Sequence, residues 1–101
     1  MTFDVELTPL ARLRPGELLD ELSTEEGTVV LVGRGEVSMV VRLSPLGQVV
    51  LAAVRPGLTL VELESEVRSR IGEPEAGDAS SLVRAAVMAL LETAVLAVDP
   101  G

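Results

Sequence analysis

The chain has no cysteine, histidine, lysine, tyrosine or tryptophan, and Phe3 is its one aromatic residue. Without cysteine there are no disulfides and no thiolate chemistry. Without histidine the usual general base at neutral pH and the commonest metal ligand are missing. An enzyme would have to work with carboxylates, arginine and hydroxyls alone, so no catalytic residue is assigned and neither cofactor nor metal is expected. Long apolar runs are lacking too. The longest candidate, residues 85–91, is bounded by Arg84 and Glu92, well short of the ~20 residues that span a bilayer. The first residues, Met-Thr-Phe-Asp-Val-Glu, carry no basic region followed by an apolar run, so they do not read as a secretory signal. A cytoplasmic location is the expectation. All 8 basic residues are arginine, and 16 acidic residues bring the net charge to −8. That balance argues against nucleic acid, whose phosphates require a basic footprint, and no basic amphipathic helix is present to hold an anionic membrane.

What remains is a chain of 101 residues, 48% hydrophobic, whose interior must be filled by Val, Leu, Ala and a few Met. The length suits one domain, 1–101, with one core. Residues 3–7 alternate and would form a short strand with Phe3, Val5 and Leu7 on one face, although residues 1–11 are also where flexibility is expected. Pro9, Pro15 and Gly16 then interrupt the chain. Residues 17–22 fit either a strand or one helical turn, and 23–27 are acidic and turn-like.

The clearest strand is 36–43, in which Val37, Met39, Val41 and Leu43 share one face and Ser38, Val40 and Arg42 the other. Residues 28–32 precede it as a second β-branched run, and Gly33-Arg34-Gly35 between them marks a hairpin. That glycine pair lacks the spacing and the lysine of a phosphate loop. Ser44-Pro45 stops the strand and starts a helix over 45–54, with Ser44 as N-cap and Leu46, Val49, Val50 and Ala53 as its apolar stripe. Arg55-Pro56-Gly57 ends it. Thr59 and Glu62 form a capping box for a second helix, whose stripe is Leu60, Leu63, Val67 and Ile71. On its polar face Glu64 and Arg68, and Glu66 and Arg70, stand four apart in the favourable order. Gly72 is its expected C-cap. The link 55–58 has helix-turn-helix spacing.

After a polar loop over 73–80, Asp78 or Ser80 is placed to cap a third helix running from 81 to about 93. Residues 95–98 continue that helix or form a short terminal strand. The third helix has two apolar sides. Val83, Val87, Leu90, Leu91 and Ala94 make a bulky one. Leu82, Ala85, Ala86, Ala89 and Thr93 make a mostly small one, which suits either close packing on a neighbour or the floor of a groove.

The carboxylate pairs Asp20/Glu21, Glu25/Glu26 and Glu62/Glu66 fall in loops or on solvated helix faces with no third ligand in reach, so they carry no metal or acid-base reading. Arg34 marks the hairpin tip. Arg42 and Arg84 are single positive charges within apolar elements, each able to anchor a peptide carboxylate or simply to aid solubility.

The hairpin ending in Arg-Leu-Ser-Pro, the helix 46–54, the Pro-Gly link leading into Leu58-Thr-Leu-Val-Glu-Leu63, and the last helix ending in Thr-Ala-Val-Leu-Ala-Val together resemble the PqqD-like family, over about residues 12–98. These are recognition elements for ribosomally made, post-translationally modified peptides. Ser44 stands where relatives often have asparagine, and the last helix is unusually rich in alanine. The resemblance implies an α+β, winged helix-turn-helix fold, with an N-terminal three-stranded antiparallel sheet packed on three helices. It also implies that a precursor leader peptide adds as an antiparallel strand along Val37, Ser38, Met39, Val40, Val41 and Arg42, with Leu82, Ala85, Ala86 and Ala89 as an apolar wall. The protein would then present the peptide to a modifying enzyme or leader peptidase, with lasso-peptide systems the favoured setting. Two other classes are weighed against this: a winged-helix transcriptional regulator, opposed by the acidic charge, and a non-catalytic homodimer that buries the extra apolar face of the third helix.

Overall fold

A computed structural model of the chain describes residues 10–72 and 79–99. The proposed strand at 3–7, Pro9, Asp78 as a cap and most of the loop 73–80 lie outside the described residues. The fold is α+β. In chain order it runs β1 (Arg12–Pro15), β2 (Leu18–Thr24), β3 (Gly27–Arg34), β4 (Val37–Leu43), α1 (Pro45–Val54), β5 (Leu58–Thr59), α2 (Leu60–Ile71), α3 (Ala79–Glu92) and β6 (Leu96–Val98).

Among the described residues three helices are present as expected, but the strands form two antiparallel three-stranded sheets where one N-terminal sheet was expected. The meander β2-β3-β4 is one. The other, β5-β1-β6, gathers three short segments distant in sequence, with Leu13 opposite both Leu58 and Val98. Such short pieces leave no alternation to read, and their pairing arises only once the helices have brought them together. Pro15-Gly16 makes the corner between the sheets. There the Gly16 N–H donates to the Val95 carbonyl at 2.8 Å, and a Cβ on Gly16 would stand 2.0 Å from the Ala94 carbonyl oxygen. No side chain fits that approach.

Residues 17–22, open between strand and helix from sequence, fall mainly in β2, whose register shifts between Leu18 and Asp20. The β3–β4 turn is Gly35-Glu36, two residues beyond the start of the expected Gly33-Arg34-Gly35 connection. Gly35 has φ +67° while Glu36 has a negative φ, the type II′ pattern that matches the twist of a hairpin. Gly33 instead lies within β3, where its missing side chain leaves room for the Glu17 carboxylate.

The helix signals act as local chemistry requires. Ser44 Oγ accepts from the Gly47 N–H at 2.9 Å. In the capping box the Glu62 N–H donates to Thr59 Oγ1 at 3.2 Å and the Thr59 N–H to Glu62 Oε1 at 2.9 Å. The Gly72 N–H closes the end of α2 on the Arg68 carbonyl. The stripes are partly as expected: Val50, Ala53, Leu60, Leu63 and Val67 are buried, Leu46 and Val49 half-buried, and Ile71 exposed. Ser80 lies inside α3 rather than capping it, and its hydroxyl donates to Glu64 at 3.0 Å. After α3 the chain turns through Ala94, at φ +63°, into β6.

The core joins both sheets to all three helices through Leu13, Val30, Val32, Leu43, Val50, Leu51, Leu60, Leu63, Val83, Val87 and Leu96. It is built of aliphatic side chains, as the composition requires. β4 departs from the expected inward face. Only Leu43 is buried and Val41 half-buried, while Met39 is 36% and Val37 66% exposed. The turn-proximal half of the hairpin extends past the helices that would cover it.

Candidate functional site

β4 is the edge of its sheet, with β3 its partner among the described residues. Which backbone groups it leaves open follows from the turn. Residues flanking a two-residue hairpin turn exchange both hydrogen bonds, and opposed pairs then alternate between bonded and unbonded. Arg34 opposite Val37 is the flanking pair, and the register continues without a shift through Val32–Met39 and Val30–Val41 to Thr28–Leu43. The N–H and C=O groups of Val37, Met39, Val41 and Leu43 therefore belong to the β3 ladder. Those of Ser38, Val40 and Arg42 point out along the open edge.

Beside the C-terminal half of this edge lies a groove of about 240 Å³ between β4, the start of α1 and α3. Val41, Arg42, Ser44 and Gly47 form one side, and Ala86, Ala89, Leu90 and Thr93 the other. Each wall has a local cause. Residues 86, 89, 90 and 93 share one face of α3 by helical spacing. The bulky side of that helix, Val83, Val87 and Leu90, is buried in the core, and this turns the small side toward β4. The Thr93 hydroxyl is held at 3.3 Å to the carbonyls of Ala89 and Leu90. Among the described lining residues Arg42 is the one that is charged, and by alternation along β4 its side chain leaves the sheet on the face opposite Val41.

Four of the ten residues anticipated from sequence, Val41, Arg42, Ala86 and Ala89, meet in this groove. Ser38 and Val40 continue the open edge away from it. Val37 and Met39 lie on the groove side of the sheet near the turn and are exposed. Ala85 is exposed and lines no part of the groove, and Leu82 faces a separate apolar crevice with Leu46, Val67, Ile71 and Val83. Ser44, Gly47 and Leu90 were not anticipated in the lining. Leu90 is four residues from Ala86 and so only ~40° from it on the helical wheel, and its place on the boundary between the two sides was the available signal. Gly47 and Ser44 carried only their capping signal.

Other charged candidates fall elsewhere. Arg84 stands 4.0 Å from Glu64, away from the groove, and Arg34 reaches toward the Met39 sulfur at 3.9 Å. Glu21 pairs with Arg55 at 3.0 Å and Glu66 with Arg70 at 3.0 Å. The Glu62 carboxylate is held below the usual glutamate range, first by the Thr59 backbone N–H and then by the Thr59 side chain. These acids are engaged in pairs and caps. Among the described residues none of the groups of three or more acidic side chains that could hold a metal occurs, and no helix is long and apolar enough to cross a membrane.

No family model, curated protein or solved structure matches this chain.

Proposed function

We propose that this protein binds the leader region of a ribosomally made precursor peptide, as PqqD-like recognition elements do, and presents it to a modifying enzyme or leader peptidase. The observation that carries the reading is the open edge of β4 running into a groove lined by small side chains of α3. Strand addition draws affinity from main-chain hydrogen bonds and specificity from alternate side-chain pockets, so it requires no histidine, cysteine or lysine.

A peptide paired antiparallel with Ser38, Val40 and Arg42 directs alternate side chains to the two faces of the sheet. Those on the groove side enter the space beside Ala86 and Ala89, which accepts a bulky apolar group. Those on the other face pass Val40 and Arg42, where a carboxylate is favoured. Capture then raises the local concentration of the attached core region at the partner enzyme, to the mM range for short flexible linkers. A lasso-peptide setting with a separate leader peptidase is the version favoured. The winged helix-turn-helix description belongs to the same proposal, with α1, the link at 55–58 and α2 as the helix pair and β3–β4 as the wing.

The test is fluorescence anisotropy with labelled leader peptides encoded beside this gene. Micromolar or tighter binding that Ala86→Trp abolishes in folded protein supports the reading. Failure of every candidate leader to bind the folded wild-type protein overturns it.

A further inference from the structure

The groove and the exposed hairpin tip are complementary within one molecule's own surface. We infer that the open edge of β4 pairs with the β4 edge of a second copy, antiparallel about a two-fold axis at Val40, and that this pairing occludes the groove. The pairing stands on geometry alone; its consequence for peptide capture rests on the function proposed above.

Three observations converge on that register. The outward backbone groups belong to Ser38, Val40 and Arg42, and centring on Val40 sets Val40 opposite itself and Ser38 opposite the other copy's Arg42. Every outward N–H and C=O then finds a partner. Centring on Ser38 or Arg42 leaves some of them unpaired. Secondly, the charges agree. Arg42 meets no like charge across the seam, and its diagonal neighbour in the other copy is Glu36, within reach of a long side chain. Thirdly, the exposed apolar residues gain cover. Met39 falls opposite Val41 of the other copy and Val37 opposite Leu43, on the groove side of the sheet. The groove beside Ala86 and Ala89 thus receives the Met39 side chain, whose flexible thioether suits an irregular space. The half of β4 that extends past its own core is the half that reaches the neighbour's groove. An unprotected edge is otherwise a route to uncontrolled association, and closing it pairwise limits association to a dimer.

Sedimentation velocity over a range of concentrations, near 0.15 M salt where the Debye length is ~8 Å and the repulsion between two acidic molecules is screened, tests this. Wild type is expected to shift from monomer to dimer. Glu36→Arg sets two arginines on each diagonal and raises the dimer dissociation constant roughly tenfold. Adding Arg42→Glu to it restores dimerisation. Amide exchange provides a readout free of substitutions: the Ser38, Val40 and Arg42 N–H groups become protected as wild-type concentration rises. A monomer at every soluble concentration, or a dimer in which those three amides stay exchangeable, overturns the inference. Neither outcome bears on leader binding, which is scored on dilute monomer. Where leader binds, dissociation of the dimer must precede it, so apparent affinity falls as protein concentration rises.

Discussion

Proline placed at successive positions of β4 separates the two edges of that strand. Met39 lies opposite Val32, and its N–H belongs to the ladder with β3, whereas the Val40 N–H faces the open edge. Both side chains are exposed, at 36% and 70%, so neither change empties the core and the difference falls on the backbone. Val40→Pro breaks no internal hydrogen bond and occupies a position where sheets tolerate proline, so its cost is within about 1 kcal/mol. Met39→Pro deletes a bond worth ~0.5–1.5 kcal/mol and leaves the Val32 carbonyl unpaired, at ~1–3 kcal/mol more. For a domain of this size each kcal/mol moves Tm by roughly 4–8 °C, so Met39→Pro should lower Tm by roughly 6–36 °C, centred near about 18 °C, and Val40→Pro by less than about 8 °C. Circular dichroism melting curves provide the comparison. Peptide binding should show the reverse emphasis, since folded Val40→Pro loses a hydrogen bond to the incoming strand and weakens binding about tenfold or more. Equal destabilisation by the two prolines would refute the assignment of open and paired groups.

Further outcomes follow from other parts of the fold. Leu13 is fully buried at the centre of the β5-β1-β6 sheet, so Leu13→Ala should cost ~2–5 kcal/mol in urea unfolding. A loss under about 1 kcal/mol would detach that sheet from the core. At Gly16 an added methyl would stand 2.0 Å from a backbone oxygen that cannot rotate away, and Gly16→Ala should cost ~1–3 kcal/mol or more; an unchanged Tm would contradict the close corner. Because the Glu62 pKa is lowered in the folded state, its contribution is present above the ordinary glutamate value and lost as pH falls through the lower, folded one. Glu62→Gln should flatten that part of the acid-unfolding curve, and an identical pH dependence would dissociate the capping box from stability.

How much of this was legible in sequence follows the range of the interactions. Ser44, Thr59, Glu62 and Gly72 act on neighbours within one helical turn, and their roles could be read directly. The β3 and β4 strands carried long β-branched runs. Leu13, Leu58 and Leu96 belong to strands so short that only contacts between distant segments define them. The inward face assigned to Val37 and Met39 followed from alternation, but whether a helix lies over a strand's end depends on where α1 and α3 stop. For the site, Ala86 and Ala89 were readable from the two-sided wheel of α3. Leu82 and Ala85 share that side by spacing, yet the groove follows only the part of α3 that lies beside Val41 and Arg42.

The most direct measurement is amide hydrogen exchange on dilute, isotopically labelled protein with and without a leader peptide. Strand addition protects the Ser38, Val40 and Arg42 N–H groups on binding while those of Met39 and Val41, already in the ladder with β3, change little. Saturating peptide that leaves all three outward amides as exchangeable as in the free protein would contradict recognition at the β4 edge.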